Sequence, residues 1–422
     1  MPTGTVDPTR RNRIRQPLRG RVVDNTPKIP YISVVMFTRA FTPPKRKSFF
    51  LFGPRQTGKS TLVRDLLTTK DAYIDLLPQR NFLDYAKQPG RLREEMLARR
   101  KRQGEFTCVI DEIQKIPALL DEVHSLIEAG GIRFVLTGSS ARKLVRGGAN
   151  LLAGRAYVYH LFPLTFQELG ELFELERALR VGCLPPLWNS GGEEDPVEFL
   201  RVYAETYLRE EVAAEGLVRN IGPFAQFLDI AAATDGETLS YSNVARECSL
   251  SVKTVQQYYG ILEDTFLAHR IPAWRRSTRR RLVSHPRYYL FDPGVTNALC
   301  HAAGGKLDPV VRGRRFEQLV ITQLLAAIHY RRSDLQVCYW RTNHGAEVDL
   351  VLARGNAPVA AVEIKSSRHI ASADLAGLRS FLQDNPGVPA FVLGIDVAER
   401  LMAGGVTVLD WREFIRRRLG DL

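Results

Sequence analysis

Phe49–Lys70 reads FFLFGPRQTGKSTLVRDLLTTK, and this stretch decides the fold. Phe49-Phe50-Leu51-Phe52 is a short apolar run of the kind that forms a buried strand. It leads straight into Gly53-Pro54-Arg55-Gln56-Thr57-Gly58-Lys59-Ser60, which fits G-x-x-x-x-G-K-[ST]. Thr61, Leu62, Val63, Leu66 and Leu67 then follow at helical spacing. Strand, glycine loop and helix in that order make a phosphate cradle. The glycines let the chain turn tightly, so that successive N–H groups converge on phosphate oxygens. The helix start adds the positive end of its dipole. The expected nucleotide-binding set is Gly53, Pro54, Arg55, Gln56, Thr57, Gly58, Lys59, Ser60 and Thr61. Lys59 is expected to reach the β- and γ-phosphates and Ser60 to ligate Mg²⁺. ATP and Mg²⁺ are therefore the expected cofactors.

A second element supports the first. Phe106–Ile110 is a β-rich run that delivers Asp111-Glu112 to its end. An acidic pair at a strand terminus suits a Walker B role, with Asp111 holding Mg²⁺ through water and Glu112 polarising the attacking water. Ala72–Leu76 and Ile132–Leu136 read as further strands, and Asn81–Arg102 as helix-prone. Strands alternating with helices predict an αβα domain with a parallel sheet. Ligands of such sheets bind beyond the carboxyl ends of the strands. Thr137-Gly138-Ser139-Ser140, at the tip of one of them, places a hydroxyl within reach of a γ-phosphate.

At 422 residues the chain has room for about two to four domains. No apolar run approaches the ~18 residues of a membrane span. The five cysteines are scattered without C-x-x-C spacing, which argues against a disulfide framework or zinc site and makes a reducing cytoplasm the default location. The net charge of +13 speaks for polyanionic partners. Residues 1–50 hold eleven Lys/Arg against Asp7 and Asp24. Residues 1 to about 27 read as a disordered basic arm, and Ile29–Pro44 as an ambiguous stretch that can pack on the nucleotide domain.

Thr165–Arg180 and Pro196–Glu215 carry apolar residues at helical intervals. Thr238–Arg270 reads as helix-turn-helix: Ser242–Cys248, a turn, then Val252–Leu262 capped by Ser251. Phe266–Pro272 and Arg287–Phe291 are expected to form the strands of a wing. Arg275, Arg276, Arg279, Arg280 and Arg281 lie between those strands, suited to DNA phosphates, and Lys253 and Gln257 face a groove from the second helix. A solvated basic hairpin is the plainer alternative.

GPRQTGKST, VIDEIQKIP, FVLTGSSARKL and LLAGRAYVYHLFPLTFQEL together resemble one family of prokaryotic AAA+ ATPases whose C-terminal half is a domain of unknown function. The resemblance covers roughly residues 45–395. It implies a P-loop AAA+ αβα sandwich (45–160, after a basic arm over 1–44), a helical lid (161–222), a winged helix (223–292) and a restriction-endonuclease-like α/β domain (293–422). It also implies that Ser139 is the first sensor. Arg155, with Arg142 as a weaker second candidate, is implied to lie near the nucleotide, in its own subunit or as a finger on a neighbour. The second case makes the protein a homo-oligomeric ring. Asp349 followed fourteen residues later by Glu363-x-Lys365 resembles the D…E-x-K motif of restriction-endonuclease-like folds, and Glu317 matches the acid on the preceding helix. Three functions remain open: an ATP-driven motor or switch on DNA, an ATP-dependent metal nuclease, and a regulatory ATPase switch that binds DNA or protein without cutting it.

Overall fold

The computed structural model describes residues 37–142, 144, 152, 154–189, 195–208, 221–275 and 285–422. Phe49–Phe52 belongs to β1 (Ser48–Phe52), a strand with every residue buried. Its apolar run does not alternate because it is covered on both faces, as central parallel strands are. The sheet has the order β2-β3-β4-β1-β5, formed by Ala72–Asp75, Phe106–Asp111, Ile132–Gly138, β1 and Ala156–His160, all parallel. The carboxyl ends of β1, β3 and β4 therefore share one edge. That edge gathers the glycine loop, Asp111-Glu112 and Ser139.

Helices α1 (Lys59–Asp65), α2 (Gln79–Lys87), α3 (Arg91–Gln103) and α4 (Leu119–Ala129) connect these strands. The helix-prone stretch 81–102 is thus two helices. Pro89 disfavours helical geometry in the residue before it, and Gln88 accordingly sits at φ −141, ψ 77.

Short helices α5 (Phe166–Leu169), α6 (Leu175–Val181) and α7 (Pro196–Val202) follow, the last running into a π-helical turn at Tyr203–Tyr207. The helix expected over 165–180 breaks at Gly170, which adopts φ +56. Next come α8 (Ile221–Ala233), α9 (Tyr241–Glu247), α10 (Val252–Asp264) and an antiparallel pair, β6 (Ala268–Ile271) with β7 (Arg287–Leu290). Helices α11 (Pro293–Leu299) and α12 (Pro309–Tyr330) lead to a mixed six-stranded sheet. Its strands are β8 (Gln336–Arg341), β9 (Glu347–Arg354), β10 (Ala357–Ile364), β11 (Ala390–Gly394), β12 (Arg400–Met402) and β13 (Val406–Asp410), with α13 (Ala376–Asp384) between β10 and β11.

One apolar core runs from Leu164 through Phe224, Tyr259 and Phe316 to Trp411. The segments expected as lid, winged helix and C-terminal domain are therefore fused along a common interior. Within the stretch set aside as a basic arm, Arg39 and Phe41 belong to the folded body: Phe41 is buried and Arg39 is ion-paired to Glu168. The rest of the arm, residues 1–36, lies outside the described residues. Among the described residues no helix is long and apolar enough to cross a membrane.

Candidate functional site

The glycine loop is shaped by what surrounds it. At Gly53 (φ +153) a Cβ would lie 2.3 Å from the carbonyl oxygen of Leu161, so no side chain fits there. Lys59 is buried, and its Nζ donates to the carbonyls of Gly53 and Pro54 at 2.8 Å each. Thr57 Oγ1 donates to Pro54 O at 2.9 Å. Ser60 is half-buried and Thr61 exposed at the start of α1. From above, Tyr203 donates to the carbonyl of Arg55 at 3.1 Å, and the Arg55 guanidinium stands 5.2 Å from the Tyr207 ring.

Arg39 ties this loop to the rest of the molecule. Its guanidinium donates to Thr57 O at 2.6 Å, Phe162 O at 2.7 Å and Glu168 Oε1 at 2.9 Å. Nothing local marks Arg39 in the sequence; its partners are 18 to 291 residues away.

Across the edge, buried Asp111 accepts hydrogen bonds from Tyr73 and Thr137. Glu112, in a left-handed conformation (φ +61), lies beside Ser139, whose Oγ donates to Glu112 Oε2 at 3.5 Å. Gln114 joins the two, with its Nε2 donating to the Glu112 carboxylate and to Ser139 Oγ at 3.2 Å. Gly138 permits this: a Cβ there would fall 2.4 Å from Gln114 Oε1. Glu112 and Ser139, chosen from sequence, thus meet through a glutamine that the sequence did not single out. The Ser60 hydroxyl and Asp111 carboxylate are hard oxygen donors. They suit Mg²⁺, which takes one or two protein ligands besides phosphate and water.

Arg155 lies apart from this edge. It precedes β5, whose first residue pairs with Ser48, at the end of the sheet opposite the glycine loop. Five strand residues, about 16 Å, separate the two ends. There it pairs with Glu128 at 2.6 Å, away from the glycine loop of its own chain. Arg142 is also engaged elsewhere, with Asp264 at the end of α10, at 2.5 Å.

On α10, Ser251 accepts from Thr254 N at 3.1 Å as the expected cap, and Val255, Tyr258, Tyr259, Ile261 and Leu262 form the buried face. Lys253 and Gln257 are exposed. Of the hairpin arginines, Arg275 is described, whereas Arg276, Arg279, Arg280 and Arg281 lie outside the described residues.

Glu317 on α12, Asp349 on β9, and Glu363 with Lys365 at the end of β10 come together. Asp349 Oδ2 accepts from Ile364 N at 2.8 Å, Lys365 meets Glu363 at 2.7 Å, and Tyr289 donates to Glu317 at 2.6 Å. Burial, reinforced by the nearby Asp349 charge, pushes Glu317 and Glu363 up to about 8. Arg287 from β7 stands among these acids.

A parallel sheet that presents a glycine loop on one strand and an acidic pair two strands away defines a P-loop nucleotide-binding domain of the AAA type. In agreement, residues 45–170 match the AAA domain family, while residues 172–305 and 312–413 match two domains of unknown function (DUF8612 and DUF4143). An uncharacterized protein of Mycobacterium tuberculosis is 28% identical over 313 residues, covering 73% of this chain and 68% of the relative. One of Haemophilus influenzae is 23% identical over 300 residues, covering 65% of this chain and 73% of the relative. Among solved structures, the Aeropyrum pernix ORC1 protein in complex with DNA aligns with a TM-score of 0.29 and 14% identity, over 61% of this chain and 87% of that one.

Proposed function

We propose that this protein is a Mg²⁺-dependent ATPase of the AAA+ kind that uses nucleotide state to switch its hold on DNA. On triphosphate binding, the phosphate oxygens replace the Gly53 and Pro54 carbonyls as acceptors for Lys59. Glu112, aimed by Gln114 and Ser139, accepts a proton from the attacking water. Ser60 and Asp111 would hold Mg²⁺, which supplies charge neutralisation at the β- and γ-oxygens. Arg155 reaches a γ-phosphate only in a neighbouring subunit, and that arrangement requires a homo-oligomer. Helices α9 and α10 with the β6/β7 hairpin act as a winged helix, with Lys253 and Gln257 at bases and Arg275, Arg276, Arg279, Arg280 and Arg281 at phosphates.

One observation favours a switch over an uncoupled ATPase. The residues just beyond Ser139 are clamped to the helix that bears Lys253: Ala141 N donates to Asp264 O at 3.2 Å, and Arg142 pairs with Asp264. Two residues on, Phe266 stacks on Phe52, the last residue before the glycine loop, with ring centroids 5.8 Å apart. A shift at either phosphate-facing loop therefore bears on the base of the DNA-facing helix.

Fluorescence anisotropy of a labelled duplex tests this in three states: nucleotide-free, ADP and a non-hydrolysable ATP analogue. The expected result is a change in DNA affinity of about 5- to 150-fold between states. Equal affinity in all three states contradicts the switch.

A further inference from the structure

The acidic cluster of the C-terminal sheet already contains a cation, and it comes from another part of the chain. Arg287 is the first residue of β7, held in register opposite Ile271 and bridged to Thr238. Its side chain is only 4% exposed. One guanidinium nitrogen meets Glu347, and the other lies 3.8 Å from Glu317 and 3.9 Å from Asp349. The Tyr339 ring closes over it at 4.6 Å. Arg341 takes the second Glu347 oxygen at 3.5 Å, and Lys365 takes Glu363.

We propose that Arg287 is the built-in counter-ion of this cluster, and that while it is seated the C-terminal sheet takes no divalent metal and cuts no phosphodiester. The acids resemble a metal site in sequence, but one oxygen of each of three is otherwise committed, while the second Glu363 oxygen is buried with no hydrogen-bond partner among the described residues. Asp349 Oδ2 is fixed by the backbone of Ile364, Glu317 Oε1 by Tyr289, and Glu363 Oε1 by Lys365. Among the described residues no group of three ligating side chains is arranged to hold a metal ion. A guanidinium cannot shed its charge at any accessible pH. A divalent ion entering beside it would meet the repulsion of the guanidinium within a few ångströms and would have to compete with it for the same carboxylates. Strand pairing holds the backbone of Arg287, and its burial, its ion pairs and the Tyr339 ring hold the side chain in place. The acids thereby serve as a socket that docks the β6/β7 hairpin onto the C-terminal sheet.

The test uses the full chain with Mn²⁺ as probe, because Mn²⁺ occupies carboxylate sites readily. Melting temperature is recorded with and without roughly 5 mM Mn²⁺ for the parent, D349N, R287M and R287M/D349N, alongside a plasmid-nicking assay in Mg²⁺ and Mn²⁺. The parent should show no nicking and no Mn²⁺ response that D349N removes. R287M should gain a rise of at least about 3 °C in Mn²⁺, absent from R287M/D349N. Metal-dependent nicking by the parent that D349N abolishes overturns the proposal. So does a folded R287M that ignores Mn²⁺. Should R287M not fold, R287M/E347Q, which removes a carboxylate together with the arginine, should regain a cooperative melt. A double variant as unstable as the single one overturns the proposal equally.

Discussion

Arg142 and Asp264 form an ion pair at 2.5 Å in which the arginine is buried and the aspartate is half open to solvent. The pair joins the segment after β4 to the end of α10. Arg142 lies three residues past Ser139, and Asp264 is the last residue of α10, whose first turn carries Lys253. Thirteen helical residues make a lever of about 20 Å. Substituting Asp264→Asn should leave basal ATP hydrolysis within about twofold of the parent while reducing the nucleotide effect on DNA affinity to under about threefold. Anisotropy titrations with and without the ATP analogue measure this directly.

Gln114 donates to the Glu112 carboxylate and to Ser139 Oγ, and in the proposed mechanism it orients Glu112 rather than reacting itself. Gln114→Ala should lower kcat by roughly 10- to 100-fold with little change in ATP affinity, since it removes orientation and no phosphate contact. Gly138→Ala should act in the same direction, because the added methyl displaces the glutamine. Steady-state kinetics alongside equilibrium nucleotide binding separate the two effects.

Arg39 and Glu168 are an almost fully buried pair. Removing the arginine alone strands a carboxylate in the interior. Arg39→Ala should therefore cost roughly 3–5 kcal/mol, and Arg39→Ala with Glu168→Gln should recover part of it. Urea titrations of the three chains provide the comparison.

Stability should also depend on pH through the C-terminal acids. Glu317 and Glu363 are raised to about 8 by burial and by the Asp349 charge. A raised carboxyl favours the folded state below its unfolded value and loses that contribution as pH climbs through the folded value. Buried His160 and His269 are depressed to about 3 and about 4, chiefly by burial, and act in the opposite sense only below their ordinary value near 6.5. Between about pH 6.5 and 8 the melting temperature should fall, and Glu317→Gln should flatten that slope. A slope unchanged in the variant excludes Glu317 as its source.

The elements that were legible from sequence are the locally encoded ones. The glycine loop, the acidic pair after β3 and the apolar face of α10 each state their geometry within a dozen residues, and each is found where expected. Glu317, Asp349, Glu363 and Lys365 also come together, because alternation along paired strands fixes facing. What sequence could not show is set by contacts between distant segments. The family resemblance implies that Arg155 lies near the nucleotide, yet β5 starts at the end of the sheet away from the glycine loop. Arg39, Gln114 and Arg287 acquire their roles only from partners the chain brings in later. Strand β13 was not anticipated: Val406–Asp410 is a brief run that gains its place only by pairing with β11.

The central claim is that Glu112, on the same sheet edge as the loop holding Lys59, activates water against a bound triphosphate. Steady-state ATP hydrolysis and ATP binding by the parent, Glu112→Gln and Lys59→Ala test it most directly. Glu112→Gln should bind ATP as the parent does with turnover reduced by about 100-fold or more, and Lys59→Ala should lose binding. Hydrolysis by Glu112→Gln at the parent rate would contradict the account.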